Sequence, residues 1–291
     1  MRKLFATLIL IAFSAGLATQ ASAAGLGQPV DWQLGLQQAA TPVMEFINDF
    51  HNFLLVIITL ISLFVLGLLI YVMVKFNAKA NPKPSKTTHN TFIEVVWTVV
   101  PILILIAIAI PSFRLLYFQR DLPAADMTIK AIGNKWYWDY EYPDHGDISF
   151  TATMKADEDL KEGEPRLLQT DVEVVVPVNK VVRVIVTAND VLHAWTVPSF
   201  GSKIDAVPGR LNETWFKSEK EGVFYGQCSE LCGKDHAYMP ITVRVVSEEL
   251  FNAWAEKAKD DVDEAQKELT AALQRKGKLA LDASAKPNTN N

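Results

Sequence analysis

Between Cys228 and Met239 the chain reads Cys-Ser-Glu-Leu-Cys-Gly-Lys-Asp-His-Ala-Tyr-Met, a C-x3-C-x3-H-x2-M spacing. Two thiols, an imidazole and a thioether are soft and borderline ligands, the set that copper favours. Cys228 and Cys232 are the only cysteines in the 291 residues, and His193 offers a second imidazole from another segment. Each group has an everyday alternative. Two cysteines in an oxidising compartment commonly pair, a histidine sits at the surface, and a methionine packs in a core. Those alternatives need four coincidences within one loop, so a metal site is the simpler account. Zinc competes, because two Cys and two His can close a tetrahedral site. Met239 favours copper, since a thioether is a usual weak ligand in copper electron-transfer sites. One blue-copper ion needs a single thiolate. Two thiolates four residues apart can instead bridge two metals, with His193 and His236 at opposite ends and Met239 as a weak ligand. A backbone carbonyl between the cysteines, such as that of Glu230, can fill the remaining position.

These ligands need a rigid frame, and the sequence after residue 120 suggests one. Met127–Ile132, Trp136–Tyr142, Val172–Val178, Val181–Val186, Thr214–Phe216, Val223–Tyr225 and Ile241–Val246 are short apolar, β-branched or aromatic runs. Gly, Pro, Asn and Asp separate them, which predicts a mostly antiparallel sandwich or small barrel. A helix is expected from the N-cap Ser247, with Leu250, Trp254 and Ala258 on one face. It continues, with a break, to about Lys276, and the last dozen residues read as a disordered tail.

The first 120 residues are far more apolar than the rest. Arg2 and Lys3, the uncharged run Leu4–Ala18 and Ala21-Ser22-Ala23 predict a cleaved signal over residues 1–23. Spans are expected at about 53–75 and 94–114, each with about 20 apolar or neutral residues, enough for a hydrocarbon core of about 30 Å. The loop between them carries Lys75, Lys79, Lys83 and Lys86 and no acid before Glu94. The positive-inside bias turns it to the cytoplasm, with both mature termini and the domain at 121–246 on the periplasmic side. The net charge of −5 and the lack of a basic, aromatic patch exclude nucleic acid. The acidic excess lies after residue 120 and suits a basic partner.

With these residues in view, the chain resembles subunit II of the haem–copper cytochrome c oxidases of the bacterial aa-type. The matching stretches are Thr91–Trp97, Gly133–Tyr142, Asp190–Trp195, Asp205–Arg210 and Gly226–Pro240. The resemblance implies a cupredoxin-like Greek-key domain behind a transmembrane hairpin. It implies a binuclear, mixed-valence Cu(A) centre held by His193, Cys228, Cys232, His236, Met239 and the Glu230 carbonyl. It gives the Glu230 side chain a second role, as ligand to a magnesium shared with subunit I, which carries the haems. It makes Trp136 the residue through which cytochrome c delivers electrons, and Glu94 the mouth of a proton channel. It makes Glu141, Asp144, Asp147, Asp171 and Asp190 candidates for the cytochrome c docking face. Each has a plainer reading: Trp136 as a core strand residue, Glu94 as a charge at a helix start, and the acids as solvated side chains.

Three other functions are weaker. Quinol-oxidase relatives lack the cysteine ligands. Nitrous oxide reductases carry a similar copper site but need a large further domain and lack the hairpin. A structural zinc cap leaves Met239 and the membrane anchor without a purpose. No C-x-x-C-H is present for covalent haem.

Overall fold

The computed structural model describes residues 26–146 and 148–285, with side chains as far as residue 277. The signal-like segment 1–23 and Asp147 lie outside the described residues. The chain divides into two compact units, residues 45–121 and the remainder.

The smaller unit is a pair of helices, α1 (Pro42–Lys75) and α2 (Thr91–Arg120). At 1.5 Å per residue they are roughly 51 and 45 Å long, more than a hydrocarbon core requires. No residue of either helix's most apolar 18-residue window is buried. A soluble core helix would hide such a surface, so lipid is the solvent these helices demand. Both expected spans fall inside them. Polar caps close the start of α2 and the end of α1. Asn90 Oδ1 accepts from Ile93 N at 3.2 Å, and Glu94 Oε1 accepts from Asn90 N at 3.2 Å. At the end of α1, Asn77 Nδ2 donates to the Met73 and Val74 carbonyls. Helix α2 continues through Pro101 and Pro111.

The larger unit is a cupredoxin-like β-sandwich. Its strands are β1 (Met127–Asn134), β2 (Tyr137–Tyr142), β3 (Ile148–Ala152), β4 (Val174–Pro177), β5 (Val182–Ala188), β6 (His193–Val197), β7 (Ser202–Ala206), β8 (Asn212–Phe216), β9 (Gly222–Gln227) and β10 (Pro240–Val246). One sheet has the order β3-β2-β1-β5-β8, a second β4-β10-β9, and β6 pairs with β7. The β1–β5 and β4–β10 pairs are parallel and the other ladders antiparallel. Strands β3, β6 and β7 were not among those expected from sequence. In β6 every residue but Thr196 is buried, so the alternation that marks a half-exposed strand is missing. On β2 alternation is clean: Trp138, Tyr140 and Tyr142 point into the core.

Helix α3 (Glu248–Ala258) starts at Ser247 as expected. It buries Phe251 and Trp254, whose indole lies 5.3 Å from the Tyr142 ring; Leu250 is only half-buried. After the break at 259–261, α4 (Val262–Ala285) runs well into the stretch expected to be disordered. Ala- and Leu-rich sequence sustains the helix there. A buried polar network fastens α4 to the sandwich. Glu173 holds the Arg244 guanidinium through both carboxylate oxygens, Gln169 Nε2 donates to Glu173 Oε1, and Gln266 Nε2 donates to the Glu173 carbonyl.

Candidate metal centre

The sandwich brings the ligand residues to one end. His193 opens β6, Cys228 follows β9 directly, and Met239 immediately precedes β10. His236 stands in the short 3-10 turn His236–Tyr238. The loop is tied at both ends. Ser229 N donates to the Ala194 carbonyl at 3.1 Å, and Cys228 N to the Met239 carbonyl at 3.3 Å.

The donor atoms converge. Cys228 Sγ and Cys232 Sγ are 3.9 Å apart, too far for a disulfide, and both thiols are free. His193 Nδ1 lies 3.8 Å from Cys228 Sγ, and His236 Nδ1 lies 3.5 Å from Cys232 Sγ. Met239 Sδ is 3.5 Å from Cys232 Sγ, and the Glu230 carbonyl 3.3 Å from Cys228 Sγ. His193 and Met239 are almost completely buried, and both thiols nearly so. Four further donors thus surround a pair of thiols, with one imidazole at each sulfur. That set is consistent with a copper centre; a closed zinc site would leave the thioether and carbonyl unused.

The electrostatics suit a cation. Burial raises the Cys228 thiol, but bonds with His193 and the loop outweigh this and bring it down to about 7. Burial and then the charge on Cys228 push Cys232 up to about 12. The pair therefore ionises in two well-separated steps. The second thiolate forms readily only when a bound cation offsets the first.

Two glycines let aromatic rings approach this loop. A side chain on Gly133 would put its Cβ 2.8 Å from the His193 ring, so β1 can pass only as glycine. Gly233, at φ +126°, lies under the Trp136 indole; a Cβ there would meet Trp136 Cζ2 at 3.1 Å. Trp136 is half-buried, its ring also covered by the Lys234 ammonium at 5.5 Å. Trp138 is the core tryptophan, edge-on to His193 at 6.0 Å.

The candidate docking acids do not converge in the same way. Glu141 pairs with Lys130 at 3.0 Å, Asp144 accepts from Thr128 N at 2.6 Å, and Asp171 holds Thr153 N and Oγ1 at 2.7 Å each. Asp190 is exposed like Asp144 and Asp171 but also turns its carboxylate to the centre. Its Oδ1 is 2.9 Å from His193 Nε2, and its Oδ2 accepts from Lys135 N at 2.8 Å. Burial pushes the Asp190 carboxyl up, but these donors outweigh it and hold it below the usual range. His193 is likewise lowered by burial and raised, on balance, by Cys228 and Asp190. The sequence signal for this role was the Asp-x-x-His spacing, which becomes readable only once the turn before β6 is known.

Residues 127–246 match the family model for the cytochrome c oxidase subunit II periplasmic domain, and residues 29–115 match its transmembrane domain. The chain belongs to the cytochrome c oxidase subunit II family. A probable cytochrome c oxidase subunit 2 of Rickettsia bellii is 54% identical over 239 residues, covering 82% of this chain and 89% of that protein. The subunit 2 of Cereibacter sphaeroides is 47% identical over 268 residues, 86% of this chain and 88% of the relative. Among solved structures, the periplasmic domain of subunit II from Bradyrhizobium japonicum is 60% identical, covering 48% of this chain and 99% of that one, with a TM-score of 0.46. The family therefore gives a membrane subunit of a cytochrome c oxidase, with its sandwich on the periplasmic side.

Proposed function

We propose that this chain receives electrons from cytochrome c at a binuclear Cu(A) centre and passes them to haem in subunit I, where oxygen is reduced to water with proton pumping. The observation that carries the reading is the pair of free, buried thiols 3.9 Å apart, flanked by two imidazole nitrogens, a thioether and a carbonyl. His193, Cys228, Cys232, His236, Met239 and the Glu230 carbonyl would hold the copper pair. When bound, the pair supplies one-electron redox chemistry with little rearrangement. The chain's own work is to keep both sulfurs dry, to fix the imidazoles and to hold the loop between β9 and β10 rigid.

In this reading Trp136, over the outer face of the metal loop, is where electrons arrive. Glu141, Asp144, Asp147 and Asp171 belong to the field that draws a basic cytochrome c, with Asp190 contributing charge from behind His193. The Glu230 carboxylate binds magnesium shared with subunit I, a hard oxygen ligand for a hard cation. Glu94, at the start of α2, serves as the mouth of a proton path while capping its helix. The mature chain, cleaved near residue 23, sits in the bacterial inner membrane with both termini periplasmic.

Metal counting with absorption and spin-resonance spectra of the purified full chain tests this. Two coppers per chain and a purple mixed-valence spectrum are expected; a single colourless zinc would overturn the reading.

A further inference from the structure

The segment joining α1 to α2 carries Lys75, Lys79, Lys83 and Lys86, with no carboxylate between Asp49 and Glu94. All four lysines are exposed. The segment is built rather than slack. Asn77 Oδ1 accepts from Lys79 N at 3.1 Å and Ala80 N at 2.9 Å, its carbonyl accepts from Asn81 N at 2.9 Å, and its Nδ2 closes α1. Pro82 and Pro84 then fix the backbone on either side of Lys83.

Both ends of the segment are tied to helices that require lipid, so its distance from a bilayer is bounded by covalent geometry. Lys79 lies four residues beyond Lys75, and Lys86 five before Thr91, no more than about 14–18 Å along an extended chain. A lysine's flexible four-carbon stem carries its ammonium part of the way back. The Lys75, Lys79 and Lys86 charges then stand within about one Debye length, roughly 10 Å at ordinary ionic strength, of the headgroup phosphates, and Lys83 lies between them in the same segment. No acid of the segment competes for them.

We propose that this segment is a binding site for anionic phospholipid headgroups. The four ammonium groups of Lys75, Lys79, Lys83 and Lys86 together supply the field that holds the phosphate. The site commits to lipid rather than free phosphate, because the two helices place a bilayer surface beside it. It does not depend on the copper reading.

The test reconstitutes the purified full chain in phosphatidylcholine vesicles containing a trace of spin-labelled phosphatidylglycerol or phosphatidylcholine. The immobilised fraction of each label is then compared. The native chain should favour phosphatidylglycerol, and K79Q/K83Q should lose about fivefold of that preference for each lysine removed. K79R/K83R should keep it, and molar salt should abolish it. Because both leaflets carry the label, an altered insertion direction does not affect the readout. Equal preference in K79Q/K83Q and the native chain would overturn the site. So would no preference at all, or displacement by inorganic phosphate beyond the effect of its ionic strength.

Discussion

Asp190 Oδ1 lies 2.9 Å from Nε2 of His193, while Nδ1 of the same ring faces Cys228 Sγ at 3.8 Å. One carboxylate thus determines which nitrogen is left for a metal. Partners of this kind fix the tautomer and raise ligand basicity, and losing one costs about 10–100-fold in metal affinity. Asp190→Asn is expected to lower copper affinity by a factor in that range, measured by competition with a chelator, while the fold is retained.

Gly133 passes so close to His193 that a methyl group cannot fit. Gly133→Ala should destabilise the domain by about 1–3 kcal/mol through overpacking. It should also tilt the imidazole, so the visible spectrum should change along with the melting temperature. A spectrum identical to the native one would mean the ring is not displaced.

Trp136 touches the metal loop through Gly233 but contributes no ligand atom. Trp136→Phe should leave copper content and spectrum intact while slowing reduction by cytochrome c in stopped flow. Asp171→Asn, assayed in the same way, should raise the apparent KM at low ionic strength and lose its effect as salt rises.

His145 packs edge-on against Phe251 at 5.1 Å, and its Nδ1 is buried without a partner. Burial lowers its affinity for a proton, only partly offset by Asp144. The unfolded chain therefore takes up the proton first as pH falls. Above the ordinary histidine value of about 6.5 the group has no effect, and below it stability declines. Melting temperature followed from pH 8 to pH 5 should show this component, and His145→Phe should remove it.

Glu173 joins Arg244, Gln169 and, through its carbonyl, Gln266. Removing one partner of a buried pair costs about 3–5 kcal/mol, because the other charge is stranded. Glu173→Ala should lower stability by that order and loosen α4, read by denaturant unfolding and by faster amide exchange in α4.

The sequence alone determined the ligand types, the two spans and the all-β character of the domain. Those features rest on local chemistry: thiol spacing, uninterrupted apolar length, and the residue preferences of strands and turns. It also located the end of the sandwich and the start of α3 at Ser247. It could not determine the rest, because the remaining facts lie in distances between residues far apart in the chain. β6 was hidden because both of its faces are buried. Of two tryptophans in one aromatic run, only packing decided that Trp138 fills the core and Trp136 covers the metal loop. Asp190 is a surface acid as read, but its contact with His193 depends on the turn before β6. Taken without their neighbours, the two thiols were as consistent with a disulfide, and only His236 and Met239 beside them pointed to a metal; the loop between β9 and β10 holds them 3.9 Å apart, as free thiols.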